Sequence, residues 1–490
     1  MIHFWISSVK VKNSVFIPKY YNPQIIRELN SLENTHHCYS IADLVKSGTI
    51  ALSTGDEIGK SAYGTGDIPF VRTSDIFNWE IKSAPKQGVA RDIYNEYATH
   101  QNVKEGDILL VRDGTYLIGN SCFITTIDKD ILYQSHIIKI RVKKPDELAP
   151  EIFFLALNSD IVQKQIRSIQ FTADIIDTIG QRFDDVVIPI PKSKIKRDKI
   201  TEKAREALRV RVRGKAFIKQ SPIIIEKVLD SNSILLLTDF LSLSDDELTQ
   251  AVSSRTVTAE FVEFTNVWLR SDKIQNTIYL PKYYDPSVDK ELRELSRHCE
   301  VKSMAVLRNE GIVEYYTGVE IGKMAYDTGN ISFIRTSDFS NWEIDHDPKQ
   351  GISEKIYEEY AAEQDVQEND IFLVRDGTYL VGSSCIVTPL DTKSLFCGGL
   401  YKIRVKKNEL LDSFLFLGLL NSFIVKRQIR TKQFTRDVID TIGNRIDEVN
   451  IPIPKSKEVR NAISNAVRQV VSSRIQARND ILNLSNSISK

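Results

Sequence analysis

Two carboxylates and a lysine are the residues that could break bonds in this sequence. Asp67 or Asp75, followed by Glu80-x-Lys82, could gather a Mg²⁺ ion for phosphodiester cleavage. The spacing is loose, and such patterns arise readily by chance. Where the stretch returns later it reads Glu343-x-Asp345, without the lysine. The P-loop G-x-x-x-x-G-K-[ST], H-E-x-x-H and G-x-S-x-G patterns are absent, as is a glycine-rich strand-to-helix turn. His36-His37 becomes Cys299-Glu300 in the later copy and reads as a solvated loop pair. The expectation is no catalytic residue, no metal and no cofactor.

Basic and hydroxyl side chains are more informative. Arg72, Thr73 and Ser74 sit in a turn, as do Arg112, Thr115 and Tyr116 around an Asp-Gly. Lys164, Arg167 and Gln170 end an amphipathic stretch. Each set returns, as Arg335, Thr336 and Ser337, as Arg375, Thr378 and Tyr379, and as Arg427, Arg430 and Gln433. These types suit phosphate and base-edge contacts. The competing reading is architectural: Asp75 and Asp113-Gly114 build turns, and Trp79 and Trp342 fill the core. A further basic stretch, Lys192–Lys219, is opposed only by Asp198, Glu202 and Glu206. Lys196, Arg197, Arg205 and Arg211, with Arg460, Arg468 and Arg474 later, could form a phosphate-facing stripe. A solvated helix face, or a surface for an acidic protein partner, explains them equally well.

Those residues recur because the chain is duplicated. FIPKYYNP at Phe16 returns as YLPKYYDP at Tyr279, VRTSD at Val71 as IRTSD at Ile334, and VRDGTYL at Val111 returns at Val374. KIRVKK, DTIG and IPIPKSK repeat with the same separation of 263 positions, and no gap is needed from Pro18 to Lys194. The offset persists in Arg197/Arg460, Ile200/Ile463, Arg205/Arg468 and Arg211/Arg474. Two domain-sized copies make a tandem pair and not a solenoid.

Bulk properties set outer limits. The 490 residues suffice for two or three domains, each with its own core. Lys+Arg and Asp+Glu both number 65, so a generically basic nucleic-acid coat is disfavoured but a local basic groove is allowed. The five cysteines fit neither a disulfide framework nor a zinc site. Without a basic, apolar leader or a long apolar run, a cytoplasmic protein with no membrane contact is expected.

The elements that must position these residues are legible in outline. Asp67–Ile81 reads as two short strands, Ile93–His100 as one or two helical turns, and Glu105–Ile118 as a hairpin turning at Asp113-Gly114. Leu132–Val142 reads as one strand, Glu151–Phe171 as one or two helices, and Val186–Pro191 as a strand. Val459, Ile463, Ala466, Val470, Ser473 and Ala477 step as a heptad seam, with a weaker one through Ile200, Ala204, Ala207 and Leu208. The seams could pair with each other or simply face their own modules. Pro222–Val262 has no counterpart before Met1 and reads as a connector, with a possible capping box from Ser244 to Glu247. The expected division is a module at 1–191, a spacer helix at 192–230, a connector at 231–262, a second module at 263–454 and a second spacer helix at 455–490.

This order of motifs resembles the specificity subunits of type I restriction-modification systems. The resemblance rests on Ile68–Arg72, on Gly106–Leu109 with Gly114-Thr115 and Gly119, and on IPIPKSK at Ile188 and Ile451 followed by a helix. Copy two departs with Asn369 for Gly106 and Ser332 for Pro69. The resemblance implies an α+β chain of two target-recognition domains, their long helices paired as an antiparallel coiled coil with pseudo-two-fold symmetry. It implies a non-catalytic subunit that binds a split double-stranded DNA target, docks adenine methyltransferase subunits and may be joined by a translocating restriction subunit. Because the two copies are alike, the target is expected to be nearly palindromic. The divergent stretches Asn30–Ser53 and Lys129–Ile138, against Arg293–Tyr316 and Thr392–Tyr401, should encode any difference between its halves. A duplicated protein-interaction scaffold and a metal-dependent nuclease are the rival readings.

Overall fold

A computed structural model describes the chain apart from residues 1–4, 9, 10, 12–14, 115, 174, 175, 254, 256–267, 276, 407, 408, 437, 438 and 490. Runs of β-branched and aliphatic residues form the strands. Ile108–Val111, buried at all four positions, lies between Ile137–Val142 and Ser121–Phe123, and Ile50–Thr54 completes a four-stranded antiparallel sheet. A second sheet sets Ile68–Val71 between antiparallel Gln87–Val89 and parallel Leu132–Tyr133. His36–Ser40 pairs with Val187–Pro191 and ties the start of the module to its end. Copy two repeats these sheets with the 263 offset: Ile371–Val374 lies between Leu400–Val405 and Ser384–Ile386, and Ile331–Ile334 pairs with Gly351–Ile352 and Ser394–Phe396.

Some expected elements take other forms. Asp67–Ile81 carries three short strands, the last two joined by Asn78-Trp79 with φ of 43° and 65°. Positive φ at both central residues is the twist a two-residue hairpin needs. Arg91–Gln101 is a full helix, and Pro150–Leu157 and Asp160–Ile169 are two helices. The hairpin expected at Asp113-Gly114 does not form. Gly114 N–H donates to Asp177 O, Asp113 bridges Thr178, and the return strand is Ser121–Phe123. His36 is a buried strand residue and not a solvated one.

Two compact units emerge, neither contiguous in sequence. One holds residues 1–213, 253–256 and 473–490, and the other holds 214–252 and 257–472. The long helices Lys194–Ser231 and Lys457–Ile488 are therefore each divided between units. In the first unit Ile200, Ala204, Ala207 and Leu208 share a core with Ala477, Ile481 and Ile488. Arg474 meets Arg211 O there at 3.3 Å, while Ile488 and Lys196 both face His36, so the two segments run antiparallel. In the second unit Ile225, Ile463 and Val467 close around Gly418. The contiguous division expected from sequence misses this exchange of helix halves.

The first long helix runs through Pro222 to Ser231, the extent of the expected spacer helix, although Pro222 also reads as the start of a connector. Proline strips the carbonyl four residues back of its amide donor. That carbonyl, Ile218 O, instead accepts from the Ser221 hydroxyl at 2.9 Å, with Ser221 fully buried. The capping box at Ser244 and Glu247 is present.

Candidate nucleic-acid interface

Arg72 and Arg112 follow immediately on the strands Ile68–Val71 and Ile108–Val111. The turn Gln134–His136 stitches those strand ends together: Gln134 N–H donates to Val71 O, and Arg112 N–H to His136 O, each at 3.0 Å. Asp75 shapes the first loop. Its carboxylate accepts from Arg72 N at 2.9 Å and Lys86 N at 3.2 Å, and burial raises its pKa. The Arg72 guanidinium lies 5.9 Å from the Tyr63 ring, and its Nε is buried with no partner. Ser74 is exposed and Thr73 half-buried. On the other side Arg112 Nε donates to Asp113 at 3.0 Å and His136 Nδ1 lies 2.9 Å from the same oxygen. Burial works against the Asp113 charge, yet contacts from Thr178, His136 and Arg112 together lower its pKa.

The second head repeats most of this arrangement. Arg335 lies 5.9 Å from the Tyr326 ring, its N–H donates to Asp338 at 2.9 Å, and burial raises the Asp338 pKa to about 6. Thr336 is half-buried and Ser337 exposed. Arg375 Nε, like Arg72 Nε, is buried without a partner. Arg375 differs from Arg112 in aim, donating to Gly398 O at 3.1 Å and lying 5.9 Å from the Tyr401 ring. Tyr116 and Tyr379 stand 43% and 44% exposed at matching points, and Thr378 is exposed beside Tyr379. Thr115 lies outside the described residues.

Other residues singled out in the sequence lie elsewhere. Lys164 pairs with Asp160 at 2.7 Å and Glu28 at 3.2 Å, so it fastens one helix to another. Arg427, its counterpart, is held by Glu226 and Glu291. Gln170 and Gln433 donate to Asp177 and Asp440 at 2.7 and 2.8 Å, and so build the hairpins beside each cleft. Arg430 donates to Thr378 O and Tyr379 O at 3.3 Å and braces the loop they occupy. Arg167 is exposed.

The basic stripe dissolves for several of its members. Arg211 and Arg474 are 2% and 1% exposed and both grip Glu80, at 3.2 and 2.6 Å. Arg197 and Arg460 donate to the carbonyls of Pro191 and Pro454, fixing the helix starts. Arg205 pairs with Glu151 at 2.7 Å, and Arg468 lies over Phe414. Lys196 is half-buried near His36. The nuclease pattern goes with the stripe, because Glu80 is committed to two arginines and Asp75 to backbone amides. Among the described residues no group of three or more His, Cys, Asp or Glu could hold a metal ion.

Sequence reasoning passed over Tyr63, Tyr326, His136 and the Gly398-Gly399 pair. His136 and the glycines sit within stretches flagged only as divergent. The signal that could have found them was the replacement of Gln-Ser-His by Cys-Gly-Gly inside an otherwise ungapped repeat.

Residues 302–484 match the Type I restriction modification DNA specificity domain family. The first head repeats that stretch without a gap. Residues 302–484 are thus similar to the DNA specificity domain of type I restriction-modification systems. Solved structures similar to this chain include the type I S subunit from M. genitalium, at 12% identity over 93% of this chain and 95% of that one, with a TM-score of 0.34. The HsdS subunit from Thermoanaerobacter tengcongensis shows 14% identity over 93% and 95%, with a TM-score of 0.27. A chain from a structure of type I complex assembly shows 13% identity over 93% and 96%, also with a TM-score of 0.27. No curated protein matches the chain. Among the described residues no helix is long and apolar enough to cross a membrane.

Proposed function

We propose that this chain is a type I specificity subunit that reads a split double-stranded DNA target, one half in each head, at the strand ends carrying Arg72 and Arg112 and those carrying Arg335 and Arg375. One observation carries the reading: each head places two arginines on strand ends joined by one turn, beside an exposed serine and a half-exposed tyrosine, Ser74 and Tyr116 in the first and Ser337 and Tyr379 in the second. Arginine is the side chain best matched to guanine edges and phosphates. Thr73, Ser74 and Tyr116, with Thr336, Ser337, Thr378 and Tyr379, complete the contact surface.

The subunit itself is non-catalytic in this reading. It acts in the cytoplasm within a complex containing adenine methyltransferase subunits and a translocating restriction subunit. Like heads imply like half-sites in inverted orientation, hence a nearly palindromic target. Fluorescence anisotropy on the reconstituted complex tests these strand ends. Arg72→Ala and Arg335→Ala should each weaken target binding by about tenfold or more, as expected for loss of an arginine-base contact. Unchanged affinity in both would remove these strand ends from the DNA interface.

A further inference from the structure

The two heads differ in every residue of one turn that has the same secondary structure in both. Gln134-Ser135-His136 and Cys397-Gly398-Gly399 both form a bridge residue followed by a two-residue turn, between equivalent strands. Each turn accepts the N–H of the cleft arginine, from Arg112 to His136 O and from Arg375 to Gly399 O. In the first head all three side chains are polar and engage the cleft. Gln134 and Ser135 donate to Glu57, and the His136 ring lies between Asp113 at 2.9 Å and Glu57 at 3.8 Å. In the second head the glycines supply no side chain.

The arginines differ too. Arg112 Nε lies 3.0 Å from Asp113. Arg375 donates to Gly398 O, lies 3.7 Å from Asp376 and faces Tyr401, where the first head has Ile138. A cleft that differs both in one imidazole and in the aim of its arginine presents a different hydrogen-bond pattern to a base pair.

Resting on the DNA-recognition reading above, we propose that this turn makes the two half-sites differ. His136, with Arg112, gives the first head a preference at one position that the second head lacks: its ring, set between Asp113 and Glu57, is a polar group with no counterpart at Gly399.

Selection from a random duplex library by the reconstituted complex tests this, comparing wild type with His136→Gly and with the triple change Gln134→Cys, Ser135→Gly, His136→Gly. Glycine already occupies the matching position in the second head, so the single variant keeps the backbone and serves if the triple variant fails to fold. Wild type should return two inverted half-sites alike except at the position this turn reads. The variants should lose the preference in one half only, making the target more symmetric. Variants that keep the wild-type motif in both halves would overturn the proposal, as would a wild-type target already perfectly palindromic. No split motif from wild type would instead overturn the DNA-recognition reading itself.

Discussion

At the scale of single residues, charge is spent mostly on architecture. Glu80 stood out in the sequence as a possible metal ligand, but it neutralises Arg211 and Arg474 inside the first unit. Side-chain exposures of 1–5% leave little solvent screening there. Glu80→Ala should therefore strand two buried cations and cost about 3–5 kcal/mol of stability, read by urea unfolding. A change below about 1 kcal/mol would mean the triad is dispensable. Arg427 shows a related economy, one cation set against Glu226 and Glu291. Burial, then the neighbouring Glu291, raises the Glu226 pKa to about 8. A carboxyl that holds its proton longer when folded makes the unfolded chain the better acid. Its contribution to stability is thus fully present below the ordinary pKa of 4.5 and lost as pH rises through about 8. Glu226→Gln should flatten that fall, in thermal melts across the same window. An unaltered pH profile would show that Glu226 does not hold its proton.

At the scale of elements, a repeated basic motif serves folding. In KIRVKK, Lys139 and Lys402 are buried against the carbonyls that end the helices Arg91–Gln101 and Glu354–Gln364. A cation there meets the negative end of the helix. Arg141 and Arg404 grip Asp107 and Asp370 at 2.6 and 2.7 Å. The departure of Asn369 from Gly106 is explained by φ of 70° and 84°, since asparagine is among the few residues that tolerate the left-handed region. Strand positions were legible because apolar runs such as Ile108–Val111 are buried on both faces. The Asp-Gly hairpin misled, because the Asp113-Gly114 backbone finds its partners some sixty residues on, at Asp177 and Thr178. Local turn chemistry cannot reveal that. Pro222 misled similarly: its helix-breaking effect is offset one residue earlier. Ser221→Ala should leave Ile218 O unsatisfied and cost about 1–3 kcal/mol in the unfolding of the second unit. Full stability in that variant would show that the hydroxyl is not what lets the helix pass Pro222.

At the scale of the whole molecule, the repeat was the most legible feature and the division of helices the least. The 263-residue offset marks module plus helix as one unit of sequence. Packing instead gives each compact unit the first part of one long helix and the last part of the other. Pattern alone showed the seams but not which residues they would meet. Of the proposed site, Arg72, Arg112 and their copies were singled out by residue type. His136 was missed because a single histidine carries no spacing signal. The central claim is that like heads read like halves of one split site. Sequencing methylated bases in cells that express the chain with the proposed adenine methyltransferase partner tests it most directly. The account predicts adenine methylation confined to a bipartite motif whose halves are inverted near-repeats; two unrelated halves, or methylation with no bipartite motif, would contradict it.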